Sequence, residues 1–176
     1  MFLELFKIPI FIGNIDINKI NLKNQNFKKT WLSETSSSYR ESFNNVTKME
    51  KESIKYLMET IVYILEEKIK YSFELKLYNI WENHYINKDY QEPHIHPESD
   101  FSFIIYKDVK ESRTVFLNPI KNYLLLYKNI SHMFEEKFIP QCKSGQIIIF
   151  PSFLEHMVLK SSKQKTISGN LRFKKE

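Results

Sequence analysis

The chain has 176 residues, 42% of them hydrophobic and 27% charged, which indicates one soluble globular domain and excludes an intrinsically disordered protein. Its single cysteine, Cys142, excludes an internal disulfide and a four-thiolate metal site, and favours a reducing, cytoplasmic setting. The net charge of +5 comes from scattered lysines, so we expect no nucleic-acid partner, and no segment approaches the ~20 apolar residues of a membrane span.

The first part of the domain, residues 1–72, predicts a strand, loops and a supporting helix. Residues 1–12 are apolar, but they carry Glu4 and Lys7 and lack the pattern of a signal peptide, so they predict a strand. Residues 14–45 are rich in Asn, Ser and Lys, a composition typical of loops and short helical turns.

One long helix is predicted after a capping box, in which Thr47 is the N-cap and Glu50 follows three positions later. An apolar stripe at helical spacing runs from there to about Lys70, and we expect it to pack against a sheet. The stripe consists of Ile54, Leu57, Met58, Ile61, Leu65 and Ile69.

The second part, residues 73–176, changes to short stretches with the period-two alternation of strands, separated by prolines. A helix followed by many short strands predicts a mainly β domain, a sandwich or barrel backed by the helix. The predicted strands are residues 73–82, 101–106, 114–117, 123–127, 146–150, 155–159 and 166–173.

Two histidines, His94 and His96, stand between Pro93 and Pro97. In an extended segment residues two apart point to the same side, so the pair presents two imidazoles together. A third imidazole from a distant strand, such as His156, would complete a three-point metal site with open positions opposite it. Imidazole binds Fe, Zn, Cu and Ni alike, so the spacing does not identify the metal. The alternative to a metal site is a pair of surface histidines beside prolines.

The histidines belong to an ordered series of motifs that resembles the Fe(II)- and 2-oxoglutarate-dependent oxygenases, in particular the small oxygenases of cyanophages and marine bacteria. The resemblance covers roughly residues 75–173, but Phe103 stands where that family has a glycine, and Lys88 replaces the glycine of its G-D turn. The motifs are W-E-N at 81–83, D-Y-Q at 89–91, H-I-H-P at 94–97, S-F-I-I-Y at 102–106, G-Q-I-I-I-F-P-S at 145–152, His156 and Q-K-T-I-S-G-N at 164–170.

The resemblance implies a double-stranded β-helix, the jelly-roll fold of cupins, as one domain over residues 1–176. It also implies an enzyme that uses Fe(II), 2-oxoglutarate and O₂ to hydroxylate an unidentified small-molecule or peptide substrate. His94 and His156 match iron ligands of the family, and His96 stands where the broader superfamily has a carboxylate. Glu98 and Asp100 stay as alternatives for the third ligand.

The resemblance further implies a basic residue beyond the distal histidine that binds the far carboxylate of 2-oxoglutarate. Lys165 and Arg172 are the two candidates, on opposite faces of the last predicted strand. Aligning Asn170 with the family's final asparagine places Gln164 at the family's arginine position and favours Arg172. A register slip of one residue favours Lys165.

Tyr106 and Asn83 are the other expected contacts of the co-substrate, whereas His84 and His132 are expected to be structural. The rival from another class is a cupin-like protein that binds a metal or small ligand without oxygenase activity, and a third alternative is an interaction protein that keeps the fold. We expect no membrane partner and allow a homodimer. The expected location is the cytoplasm, which would be that of the host if a phage encodes the chain.

Overall fold

The structure is a computed structural model that describes residues 7–33, 35–70, 72–86, 88–127, 129–160 and 163–174. Among these residues, strands in chain order are β1 Phe11–Asn14, β2 Lys28–Thr30, β3 Thr35–Ser37, β4 Leu75–Ile86, β5 Gln91–His94, β6 Phe101–Val109, β7 Thr114–Leu117, β8 Lys137–Phe138, β9 Gln146–Pro151, β10 His156–Val158 and β11 Lys163–Phe173. The α-helices are α1 Ser42–Lys48, α2 Lys51–Glu66 and α3 Lys121–Leu124, and 3₁₀ turns cover Ile17–Lys19, Tyr39–Glu41 and Ser131–Met133.

The described strands form two antiparallel sheets, as expected for a jelly roll. The larger sheet has seven strands in the order β1-β9-β6-β11-β4-β3-β2, and the smaller has four in the order β5-β10-β7-β8. Because β1 pairs with β9 and β3 pairs with β4, the N-terminal part supplies strands near both edges of the larger sheet. The prediction of a mainly β fold backed by a helix is confirmed.

The larger sheet is buried on both faces, and this is why its strands are nearly continuous apolar runs. In β9, Ile147 and Ile149 pack in the cluster that includes Leu57, Ile61 and Leu65 of α2. The alternate residues Ile148 and Phe150 pack between the sheets, together with Phe116 of β7 and Ile104 of β6. Helix α2 therefore supports the outer face and leaves the inner face for the site.

Phe103, the bulky residue in a position where the resembled family has glycine, is accommodated by a glycine opposite it. Gly169 of β11 is its register partner, and a Cβ atom built on Gly169 would lie 2.5 Å from the Phe103 ring. The glycine is therefore needed for this close approach, and the ring fills the space beside it.

One predicted helix start and one predicted strand need correction. The capping box is wrong, because Thr47 lies in the last turn of α1 and donates to the Asn44 carbonyl at 2.8 Å, while α2 begins at Lys51 and ends at Glu66. Residues 123–127, predicted as a strand, instead belong to α3 and the turn that follows it. Before this helix, the side chain of Asn118 accepts a hydrogen bond from the backbone of Ile120. The predicted N-terminal strand survives only in β1, and residues 1–6 lie outside the described part of the chain.

No helix in the described ranges is both long and apolar enough to cross a membrane.

Candidate active site

Three histidines converge where the two sheets meet. His94 ends β5, His96 follows two residues later, and His156 begins β10 directly opposite His94 in the strand register. The ring centroids lie 4.2 Å apart for His94 and His156 and 5.1 Å apart for each pair that includes His96. One nitrogen of each ring lies within 4.8 Å of the other two, a spacing that can hold a metal ion.

Backbone carbonyls fix two of the rings in the form that binds a metal. The Nδ1 of His94 lies 2.8 Å from the carbonyl oxygen of Glu92, and the Nδ1 of His156 lies 3.0 Å from that of Leu154. A carbonyl oxygen only accepts, so each Nδ1 carries the proton and each Nε2 keeps its lone pair. This is the second-shell arrangement expected for a metal-binding histidine.

All three imidazoles are held neutral by their surroundings. Burial lowers the pKa of His94, and burial together with the nearby His94 lowers the pKa of His96 to about 3. Burial, with His94 and His96 close by, lowers the pKa of His156 well below its ordinary value. The neutral ring is the form that ligates a metal, so the cluster is ready to bind one without first losing protons.

His96 has its own supporting residues. Its ring stacks on Trp81 with centroids 5.7 Å apart, and the nearby side chain of Asn170 acts to raise its pKa, against the larger effect of burial. The Asn170 oxygen accepts from Ser102 at 2.8 Å, and the Ser102 hydroxyl is also 2.8 Å from that of Ser152. A short polar network on β6, β11 and the residue that follows β9 therefore lies beside the ring.

The carboxylates considered as third ligands are engaged elsewhere. Glu98 forms an ion pair with Arg172 at 3.1 Å, and Asp100 accepts from the backbone of Phe173 at 2.7 Å. The group of potential metal ligands found in the described residues consists of the three histidines. Of the remaining histidines, His84 pairs with Glu82 at 2.7 Å, and His132 lies in a 3₁₀ turn.

Between the sheets, beyond the histidines, lies a narrow pocket lined by neutral polar and apolar side chains. Tyr106, fully buried, donates to Thr114 at 3.0 Å and accepts from Ser112 at 3.2 Å, and burial raises the pKa of its phenol. The indole Nε1 of Trp81, which lines the pocket, is buried without a hydrogen-bond partner. No lysine or arginine lines this pocket among the described residues.

Gln164 lies on the same face of β11 as the pocket-lining Thr166 and Ser168, opposite Tyr85 of β4. It is 1% exposed, and both its amide oxygen and its amide nitrogen are buried without a partner. Buried amides are normally hydrogen-bonded, so the Gln164 amide, which has no protein partner, is suited to bond a ligand. Together with the Trp81 indole, it offers donors that fit the carboxylate of a bound acid.

The two predicted cations do not reach this pocket. Lys165 alternates with Gln164 and lies on the opposite face of β11, beside Ile167 of the outer core. Arg172 lies toward the other end of β11, where it pairs with Glu98 and its guanidinium lies 3.4 Å from the centre of the Tyr78 ring. Neither placement fits binding of the far carboxylate between the sheets.

Asn83, also predicted to touch the co-substrate, has its side-chain oxygen engaged by the Ser37 hydroxyl at 2.6 Å. This contact connects β3 to β4, and Asn83 is 2% exposed. The structure therefore gives it a bond between strands rather than an unpaired group facing the histidines.

On the outer side of the histidines a cavity of about 310 Å³ opens toward the surface. Its walls come from β4, the loop around Trp31, the 3₁₀ turn and α1, and the segment that carries His94 and His96. The other lining residues are Tyr39, Phe43, Tyr78, Asn79, Glu92, Ile95, Pro97, Glu98, Ser99 and Asn170. Sequence reasoning missed Trp31, because the loop that carries it has no periodic pattern to align it with the histidines.

The fold and the site define the class: a jelly-roll protein with a candidate metal site of three neutral imidazoles, between a closed polar pocket and an open cavity. The particular family follows from the sequence: a family model described as "Putative 2OG-Fe(II) oxygenase" matches residues 79–168, about half of the chain. The chain belongs to the 2OG-Fe(II) oxygenase family, whose members use Fe(II) and 2-oxoglutarate. A comparison with curated proteins gave no significant match.

Solved structures share this fold at low sequence identity. An oxidoreductase of the 2OG-Fe(II) oxygenase family from Burkholderia pseudomallei has a TM-score of 0.50 at 10% identity, over 69% of this chain and 58% of that one. The non-heme alpha-ketoglutarate-dependent epimerase SnoN from nogalamycin biosynthesis has a TM-score of 0.62 at 10% identity, over 92% and 76% of the two chains. HygX from Streptomyces hygroscopicus, with nickel and 2-oxoglutarate bound, has a TM-score of 0.58 at 7% identity, over 94% and 83%.

Proposed function

We propose that this chain is an Fe(II)- and 2-oxoglutarate-dependent dioxygenase that hydroxylates a C–H bond of a substrate held in the outer cavity. The observation that carries the proposal is the convergence of three neutral imidazoles between the narrow inner pocket and the open outer cavity. His94, His96 and His156 are the proposed iron ligands. Iron with 2-oxoglutarate and O₂ supplies the oxidation, in which the keto acid becomes succinate and CO₂ and the substrate gains one oxygen atom.

The protein's own residues divide the remaining tasks. The carbonyls of Glu92 and Leu154 hold the protons of His94 and His156 on Nδ1, away from the metal side. Asn170 and Trp81 lie beside the ring of His96. The narrowness of the inner pocket excludes bulk water from the co-substrate.

We place the far carboxylate of 2-oxoglutarate at the inner pocket, near Gln164 and the hydroxyl of Tyr106. Support comes from the unpaired amide of Gln164 and from the hydroxyl cluster of Tyr106, Ser112 and Thr114. A carboxylate bound only by neutral donors is weaker than one bound by arginine, because charge-assisted bonds are roughly twice as strong. We therefore expect modest affinity for the co-substrate.

Release of labelled CO₂ from 1-labelled 2-oxoglutarate tests the activity. We expect turnover by the native chain and a loss of at least about 100-fold in His156→Ala, because the metal loses one of three ligands. The matched control is His132→Ala, which removes a histidine outside the cluster. Equal turnover in the native chain and His156→Ala would discredit the proposal.

The neutral inner pocket is the one observation that favours the second candidate, a cupin-like metal- or ligand-binding protein without oxygenase activity. Such a protein has no need for a cation facing the metal. Anaerobic addition of 2-oxoglutarate to the Fe(II)-loaded chain separates the two, since chelation of the keto acid gives a weak visible absorption band. Metal binding without that band would favour the second candidate.

We also infer a cytoplasmic location, supported by the buried free thiol of Cys142. The relation to the oxygenases of cyanophages and marine bacteria rests on the order of the sequence motifs and belongs to the same proposal.

A further inference from the structure

The outer cavity of this basic chain is lined by acidic and aromatic side chains. Although the sequence has 26 basic and 21 acidic residues, the described cavity lining contains two glutamates and no lysine or arginine. Four aromatic side chains form much of its wall, namely Trp31, Tyr39, Phe43 and Tyr78, and the Tyr78 ring already carries the guanidinium of Arg172, 3.4 Å from its centre. Aromatic faces and carboxylates together are the groups that bind organic cations.

The two glutamates differ in what they already bind. Glu98 is neutralised by Arg172 at 3.1 Å. Glu92 takes part in no ion pair within the described residues, and its side chain accepts only from the backbone of Leu32 at 3.4 Å. The cavity therefore carries one uncompensated negative charge, two residues before His94.

Trp31 is held beside Glu92 in a strained conformation. Its φ of 65° lies in the left-handed region, which a bulky side chain rarely adopts. Its ring lies 6.1 Å from the ring of His94 at an interplanar angle of 21°, and 4.9 Å from that of Tyr39. Strain of this kind clusters at binding sites, where the surrounding structure maintains it for function.

Three residues of the cavity lining also carry buried polar atoms that have no hydrogen-bond partner among the described residues. The side-chain oxygen of Asn79, a residue only 5% exposed, is buried with no hydrogen-bond partner. The indole nitrogen of Trp31 and the hydroxyl of Ser99, which also line the cavity, are likewise unpaired. The Asn79 oxygen is an acceptor suited to the N–H groups of a cation, and a bound molecule would satisfy it.

From these contacts we infer that the substrate carries an ammonium or guanidinium group next to an apolar body, with the cation between Trp31 and Glu92. The inference deepens the proposed function and rests on it only in taking this cavity as the substrate site. A cavity of about 310 Å³ lies at the small end of ligand pockets, so the group inserted is the size of a small metabolite or one side chain.

Three probes of similar shape test the charge: phenethylammonium, the neutral phenethyl alcohol and the anionic 3-phenylpropionate. Their dissociation constants are measured by isothermal titration calorimetry on the full chain loaded with Zn²⁺ and 2-oxoglutarate. We expect the ammonium to bind about tenfold more tightly than the alcohol, and the anion to bind most weakly. Equal or tighter binding of the alcohol or the anion would overturn the inference.

Variants locate the effect. Glu92→Gln should reduce the affinity for phenethylammonium to that for the alcohol, whereas Glu92→Asp keeps the charge and should retain the preference. Trp31→Leu should weaken both probes. The matched control is Glu59→Gln, on the exposed face of α2. An ammonium preference that survives Glu92→Gln would refute the assignment of that carboxylate.

Release of CO₂ from 2-oxoglutarate, measured separately, distinguishes failure of the oxygenase proposal from failure of the cation-site inference. Ammonium preference without CO₂ release leaves the cation site standing and removes the oxygenase proposal. CO₂ release without an ammonium preference keeps the oxygenase and removes the cation site.

Discussion

At the scale of single residues, neutrality dominates this site. Three imidazoles, a phenol and an amide are buried together. Burying a charged form of the imidazoles or phenol, or an unpaired amide, costs free energy unless a ligand pairs with the group. Gln164 is the sharpest case, because it is buried with both amide atoms unpaired. Substitution at this one residue therefore reports on what binds between the sheets.

Gln164→Arg should tighten the binding of 2-oxoglutarate by about tenfold, because a guanidinium forms a charge-assisted pair with the far carboxylate. Gln164→Leu, which removes the amide, should weaken it. Calorimetric titration of the Zn²⁺-loaded chain measures both, and a thermal melt of each variant checks the fold. If the arginine variant gains nothing, the far carboxylate lies elsewhere.

The metal-free chain should lose stability as the pH falls below about 6.5. The pKa of His96 is about 3 in the folded chain, so the unfolded chain takes up a proton that the folded chain refuses. Stability is therefore complete above the ordinary histidine pKa and decreases by at most about 1.4 kcal/mol per pH unit for this residue. Urea unfolding at pH 7, 6 and 5 measures the slope.

His96→Gln is the matched variant for that experiment, because glutamine does not titrate. Its unfolding free energy should depend less steeply on pH. Identical slopes for the two chains would show that His96 is not the group responsible.

At the scale of elements, the sequence predicts what is periodic and misses what depends on contact between distant segments. The strand containing Leu77 follows from alternation, those containing Ile104 and Ile148 follow from short apolar runs between turns, and His94 with His96 follows from spacing in an extended segment. The sequence does not predict β5, because this strand has only four residues and includes Pro93. Residues 123–127 resemble a strand because all five are apolar or aromatic, but they lie on a helical turn where only Leu124 is buried.

The close contact between β6 and β11 gives a prediction at this scale. Gly169→Ala should destabilise the fold by about 1–3 kcal/mol, because the new methyl group overlaps the Phe103 ring. In the Phe103→Leu background the same change should cost less, although the Asn79 carbonyl oxygen, 2.7 Å from that position, prevents full rescue. Urea unfolding of the four chains forms the cycle, and additive costs would contradict the explanation.

At the scale of the whole molecule, the larger sheet separates two cores. Helix α2 and the outer core stabilise one face without touching the histidines, while the inner core and the smaller sheet form the site. This division leaves metal affinity and fold stability connected mainly through the smaller sheet. The histidines proposed as metal ligands come from its strands and from the segment after β5.

Loading the site with a divalent metal should therefore raise the melting temperature. At a metal concentration 100 times the dissociation constant, binding adds about 2.7 kcal/mol, which corresponds to roughly 5–10 °C for a chain of this size. Anaerobic thermal melts with Fe(II), before and after a chelator, measure the shift. The shift should disappear in His156→Ala, and a shift that persists there would place the metal elsewhere.

The register that sets His94 opposite His156 has one more consequence. An ion shared by these rings ties the edge strand β5 to β10, and the wall from Ile95 to Ser99 continues directly from that strand. Fixing β5 in this way would also fix the cavity wall from Ile95 to Ser99 before a substrate binds. We therefore expect the ion to bind first and the molecule to be oxidised to bind last.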